Sequence, residues 1–145
     1  SIIISSCNSK ESKILEGDLY FKSIKFKSAY GASDEEYKLL LRNIDSILNT
    51  DDDDSNMYKL HKHFNKLKEY DLLRNPYIYL RLEEDSLRSL YLSESQYEKV
   101  KDFNGVDLHS EDKKVRLKLL VRKYDKDIFY SDSILEVKKV NDNKK

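Results

Sequence analysis

The sequence predicts an α+β fold: a mainly antiparallel sheet of about five to six strands, with two longer helices and one short helix packed on it. Three observations lead there. Several stretches alternate apolar and polar side chains with a period of two, the pattern of strands with one wet face. Two others repeat apolar residues at three- and four-residue spacing behind a capping serine or acid, the pattern of amphipathic helices. The elements run β, α, α, β, β, α, β, β, β, and without sustained βαβ alternation nothing in the order calls for parallel strands.

The first strand candidate is Leu19 to Lys27, where Ile24 and Phe26 alternate with Ser23, Lys25 and Lys27; Tyr30-Gly31-Ala32 breaks it. The first helix opens at Ser33, because Ser33-Asp34-Glu35-Glu36 is a capping box and its acids suit the positive end of the helix dipole. Tyr37, Leu40, Leu41, Ile44, Ile47 and Leu48 then form one apolar stripe. After the loop Asn49 to Asn56, a second helix runs to near Asp71 with Met57, Leu60, Phe64 and Leu67 on one face and lysines over much of the rest. Asn75-Pro76 stops it, since the residue before proline is pushed out of the α region. Tyr77 to Leu82 and Leu87 to Leu92 read as a hairpin about the polar turn Glu83 to Ser86. A short third helix starts at Ser93, with Gln96 completing a second capping box and Asn104-Gly105 ending it. Val115 to Val121 is a half-buried strand, Tyr124 to Asp127 a turn, and Ile128 to Tyr130 and Ile134 to Val140 the last strands, separated by a bulge at Ser131-Asp132.

A chain of 145 residues fits a single hydrophobic core, placed here over residues 17–140, with 141–145 as a solvated tail. Only 39% of residues are hydrophobic, but eleven Tyr and five Phe raise the area each apolar position can bury. Three Gly and one Pro exclude a Gly-rich phosphate loop and a low-complexity linker. Charge balances at 27 basic against 27 acidic residues, which speaks against a nucleic-acid partner, because phosphate neutralisation demands a basic surplus or face. One cysteine excludes an internal disulfide and any multi-cysteine zinc site.

That cysteine lies in Ser1-Ile2-Ile3-Ile4-Ser5-Ser6-Cys7-Asn8, an apolar run, two small residues and then Cys. The segment Ile4-Ser5-Ser6-Cys7 resembles the lipobox of bacterial lipoprotein precursors, and the chain as a whole resembles the small uncharacterised lipoproteins of Gram-negative envelopes. The resemblance implies that residues 1–6 are the end of a signal peptide and that Cys7 carries the lipid. Residues 7–16 are then a polar tether, and the domain is held at a bacterial membrane of the cell envelope through acyl chains. Members of that broad group are often binding, inhibitory or toxin-immunity proteins, and the resemblance implies no catalytic residue.

No other constellation carries chemistry. Asp51 to Asp54 fits no EF-hand register: counted from Asp51, the sixth and twelfth residues are Asn56 and Lys62, where glycine and glutamate are needed. His61 and His63 are two apart on a helix and point in different directions, and His109 has no nucleophile at motif spacing. Serines sit in no G-x-S-x-G elbow. No metal, cofactor or catalytic residue is therefore expected. The aromatic strand is more informative: Tyr77 and Tyr79 share a face with Arg81, opposite Ile78, Leu80 and Leu82, and Tyr and Arg are the residue types enriched at binding hot spots. The sequence thus points to a non-catalytic, lipid-anchored envelope protein that binds another protein, for example as an immunity or inhibitor protein against a secreted toxin. A small envelope hydrolase or ligand-binding lipoprotein is the alternative.

Overall fold

A computed structural model describes residues 12–20, 28–50, 54–83, 86–103 and 114–140. Where the sequence suggests one domain, these residues divide into two compact units, residues 25–76 and the chain on either side of them.

The unit of residues 25–76 holds two helices, α1 (Asp34–Leu48) and α2 (Asn56–Glu69). The capping box is present at α1: Ser33 Oγ accepts from the Glu36 amide at 3.1 Å, and the Ser33 amide donates to Glu36 Oε1 at 2.9 Å. Ser55 caps α2 by accepting from the Tyr58 amide at 3.0 Å. Its far end is a Schellman motif with Asp71 at the left-handed position, φ +62°. The Leu72 amide reaches the Leu67 carbonyl at 2.8 Å and the Asp71 amide the Lys68 carbonyl at 3.0 Å. The helix therefore stops at Glu69, just short of the Asp71 that the sequence suggests. Chain flanking the helices closes the unit: Ala29 donates to the Leu73 carbonyl at 2.7 Å, and Ser28 Oγ to the Asn75 carbonyl at 2.7 Å. Arg74 ties Ala32, Asp34 and the Tyr37 ring together.

The other unit contains β1 (Lys13–Tyr20), β2 (Tyr77–Arg81), β3 (Leu87–Leu92), a one-turn helix α3 (Glu94–Tyr97), β4 (Lys114–Asp125) and β5 (Ile128–Val140). The strands close into a barrel in the order β1-β2-β3-β5-β4. Every neighbouring pair is antiparallel except β3 and β5, which run parallel. The expected mainly antiparallel sheet is therefore corrected to a closed mixed barrel of five strands, for a reason of parity: directions cannot alternate all the way round a ring with an odd number of strands. β4 lying beside β1 in the order 4-1-2-3 is a Greek key, and a five-stranded barrel so connected has the OB-type architecture. Such an architecture hosts many functions and assigns none.

Inward-facing Leu19, Ile78, Leu80, Leu90, Leu92, Val115, Leu117, Leu119, Val121 and Ile134 fill the barrel, and Val100 joins them from the segment after α3. Gly17 lets β1 approach β2: a Cβ built there stands 2.8 Å from the Arg81 carbonyl oxygen. β1 takes in Lys13 to Glu16, residues that the sequence reading places in a tether. The alternation at Ile24 and Phe26 lies outside the described residues, as do Cys7, Asp51 to Asp53, Asn104-Gly105, His109 and the tail.

The expected bulge is present. Leu120 pairs with Ser133 but Arg122 with Tyr130, so β5 carries an extra residue at Ser131-Asp132. The buried Ser131 hydroxyl occupies it, accepting from the Ser133 amide at 3.2 Å. Gln96 does not form the second capping box, and the Ser93 hydroxyl, 3.4 Å from that of Ser95, caps no backbone amide of α3. Gln96 Oε1 instead accepts from the Ile134 amide at 2.8 Å, covering a backbone donor of β5 just beyond the bulge.

Candidate functional site

Cross-strand register decides which outward side chains meet, because residues directly opposite one another share a face of the sheet. Tyr20 lies opposite Tyr79, Tyr77 opposite Tyr91, Tyr91 beside Tyr130 across the parallel seam, and Tyr130 opposite Arg122. Tyr124 follows Arg122 two residues on. Six tyrosines thus run around the outside of the barrel as a belt that touches all five strands.

Ring contacts join two groups within it. Tyr77 meets Tyr79 edge-on at 6.1 Å and 90°, and meets Tyr91 at 6.1 Å and 56°. Tyr124 stacks on Tyr130 at 5.7 Å and 23°. Arg81 lays its guanidinium 4.5 Å from the centroid of the Tyr20 ring, so the belt ends on a cation. Tyr91 is fully buried, the other five rings are half-buried, and Arg81 is exposed. Burial, reinforced by Tyr77 and Tyr79, holds the Tyr91 phenol well above the usual tyrosine range. Tyr79 is raised by burial and then by Tyr77. Tyr130 is raised by burial and then by Asp132 and Tyr124, against the hydrogen bond from Ser93 and the charge of Arg122. These phenols stay protonated and neutral near pH 7, able to donate and accept hydrogen bonds and to offer ring faces, but unsuited to act as bases.

A second flank of the barrel has a different chemistry. Arg81, Asp18, Arg116 and Lys138 lie in one cross-strand row, and Glu16, Lys118 and Glu136 in the next. Arg116 bridges Asp18 at 3.2 Å and Glu16 at 3.7 Å. Such exposed ladders contribute little stability each and keep a surface wet.

The three residues that the sequence brings forward, Tyr77, Tyr79 and Arg81, do share the outer face of β2, in the alternation the sequence implies. Tyr91 was within reach of the same reasoning, since the hairpin turn sets Tyr77 opposite it. Tyr20, Tyr124 and Tyr130 join only through pairings of strands distant in sequence, which no local pattern announces. His61 is buried, its Nδ1 2.9 Å from the Met57 carbonyl and its ring edge-on to Phe64. Met57, on the expected apolar face of α2, is 55% exposed.

Among the described residues no group of three His, Cys, Asp or Glu side chains is placed to hold a metal ion. No helix of the described residues is long and apolar enough to cross a membrane. Comparison with known protein families, with characterised proteins and with solved structures finds nothing that matches this chain.

Proposed function

We propose that this protein is a non-catalytic binding module of a bacterial cell envelope, anchored by lipid on Cys7, that engages another protein through the tyrosine belt of its barrel. The observation that carries the reading is the belt itself: six tyrosines brought together by register and ending on Arg81. Half-buried tyrosines lose little side-chain entropy on binding, present a large apolar body and keep a polar tip, which is why Tyr and Arg dominate interface hot spots. A toxin-occluding immunity or inhibitor protein is the concrete form of this reading.

The test is site-specific photo-crosslinking in cells, with the reactive side chain in place of Tyr79. The expected result is one adduct of defined mass that disappears when Arg81→Ala and Tyr77→Ala are added, and that does not form from a control site at Lys38. Equal labelling from both sites, or an adduct indifferent to Arg81 and Tyr77, refutes the belt as the interface. The anchor is tested separately: Cys7→Ser is expected to move the protein from the membrane to the soluble fraction, and unchanged fractionation refutes lipidation.

A further inference from the structure

Past the bulge, β5 leaves its neighbour. It pairs with β3 only at Tyr130 and Ser131, and α3 and the segment after it take over at Ile134, whose amide goes to Gln96 and whose carbonyl accepts from Lys99 Nζ at 3.4 Å. From Leu135 to Lys139 every residue is exposed, and among the described residues β4 is the only strand that pairs with this stretch, from Glu136 onward, Leu135 being the extra residue at a second register shift. Leu135 is 50% exposed and Val137 36%, large apolar side chains on a strand end that the barrel does not use. A strand edge of this kind offers a row of backbone donors and acceptors to any extended chain.

The sequence of the edge says which chain fits. Set antiparallel to itself about a two-fold axis through Val137, the strand places Glu136 opposite Lys138 of the second copy, Lys138 opposite Glu136, and Val137 opposite Val137. The arrangement is isologous and closed, so it stops at two subunits. It also relieves a conflict inside the subunit. Lys138 stands directly opposite Arg116 on β4, a like-charge pair of the sort that costs stability in a sheet, whereas Glu136 stands opposite Lys118. Glu136 of a second copy sets an acid on the side of Lys138 away from Arg116, so that each Glu136 stands between Lys118 of its own subunit and Lys138 of the other. We infer that the β5 edge from Leu135 to Lys139 is a self-association surface, on which two copies of this chain join their barrels through antiparallel β5 pairing with Glu136–Lys138 cross-pairs. The tyrosine belt remains available for a different partner. Because the edge offers so short a stretch, the dimer is weak in dilute solution and becomes populated where molecules are concentrated, as on a membrane.

Sedimentation equilibrium of the full chain carrying Cys7→Ser, which removes disulfide dimers, tests this from about 10 μM to 1 mM, the range expected for a weak, small interface. A monomer–dimer equilibrium is expected in that range. Glu136→Lys, which turns both cross-pairs into like-charge contacts, is expected to raise the dissociation constant about tenfold or more. Lys138→Glu is expected to do the same, and the double swap Glu136→Lys with Lys138→Glu to restore dimerisation. Circular dichroism of each variant separates loss of dimer from loss of fold. A chain that stays monomeric to 1 mM overturns the inference, and so does a double swap that fails to restore a folded dimer. A dimer indifferent to Glu136→Lys but lost on Tyr79→Ala places self-association on the belt and overturns it equally.

Discussion

Replacing Gly17 by alanine adds one methyl group, and the structure says where that methyl goes. Its position is 2.8 Å from the Arg81 carbonyl oxygen, 3.1 Å from Leu82 Cδ2 and 3.3 Å from Leu80 Cβ. The leucine side chain can turn aside. The carbonyl cannot, because Arg81 is fixed in register with Asp18 at the junction of β1 and β2. Restoring an ordinary contact means parting the two strands by roughly half an ångström at a closed barrel, and overpacking of this kind costs about 1–3 kcal/mol. Acting against it, alanine narrows the unfolded ensemble, a gain of about 0.4–1 kcal/mol wherever the backbone suits it. Gly17 does suit it, since Gly31 is the glycine with positive φ among the described residues. The net expectation for Gly17→Ala is a loss of about 1–2 kcal/mol, read as a lower urea midpoint at unchanged slope and a fall in Tm of about 3–8 °C. Adding Leu82→Ala is expected to bring no rescue. A Gly17→Ala protein as stable as the parent, or one restored by trimming Leu82, refutes the carbonyl clash as the cause. Gly31→Ala is the matched control with the opposite origin: nothing lies within 4 Å of its Cβ, but φ is +86°. It loses about 1 kcal/mol through backbone conformation alone, and part of that returns with Gly31→Asn.

Two other outcomes follow from single side chains. Gln96→Leu exposes the Ile134 amide, so that amide's hydrogen exchange accelerates and stability falls by about 1 kcal/mol; a change confined to helical signal refutes the role assigned to Gln96. The Tyr91 phenol has its pKa raised in the folded state, so its contribution to stability is complete below the ordinary tyrosine value near 10 and is lost as pH rises above it, because only the unfolded chain then releases the proton. Tyr91→Phe is therefore expected to flatten the decline of stability above pH 10 by about 1.4 kcal/mol per pH unit, and a decline of unchanged slope refutes it.

Much of the secondary structure was legible because its causes are local. Ser33 and Glu36 are three residues apart, and their reciprocal bonds need only each other. Alternation over Tyr77 to Arg81 fixes which side chains face the barrel interior, and the polar pair at Ser131-Asp132 marks a bulge that its own hydroxyl satisfies. Where a local pattern misled, a distant group had the stronger claim. Ser93 and Gln96 have capping-box spacing, yet the glutamine reaches Ile134, because an unpaired strand amide offers more than the already solvated start of a one-turn helix.

The sequence by itself determined the two long helices and their caps, the hairpin, the bulge and the outward face of Tyr77, Tyr79 and Arg81, all of them consequences of period and short-range bonding. Only tertiary structure decided that the sheet closes, that closure of five strands makes β3 and β5 parallel, and that Lys13 to Glu16 belong to β1. Closure also joined Tyr20, Tyr124 and Tyr130 to the belt and left the β5 edge beyond Ile134 exposed. The physical reason is that strand neighbours distant in sequence are chosen by burial of the whole inward-facing apolar set at once, a condition that no single stretch of the chain encodes.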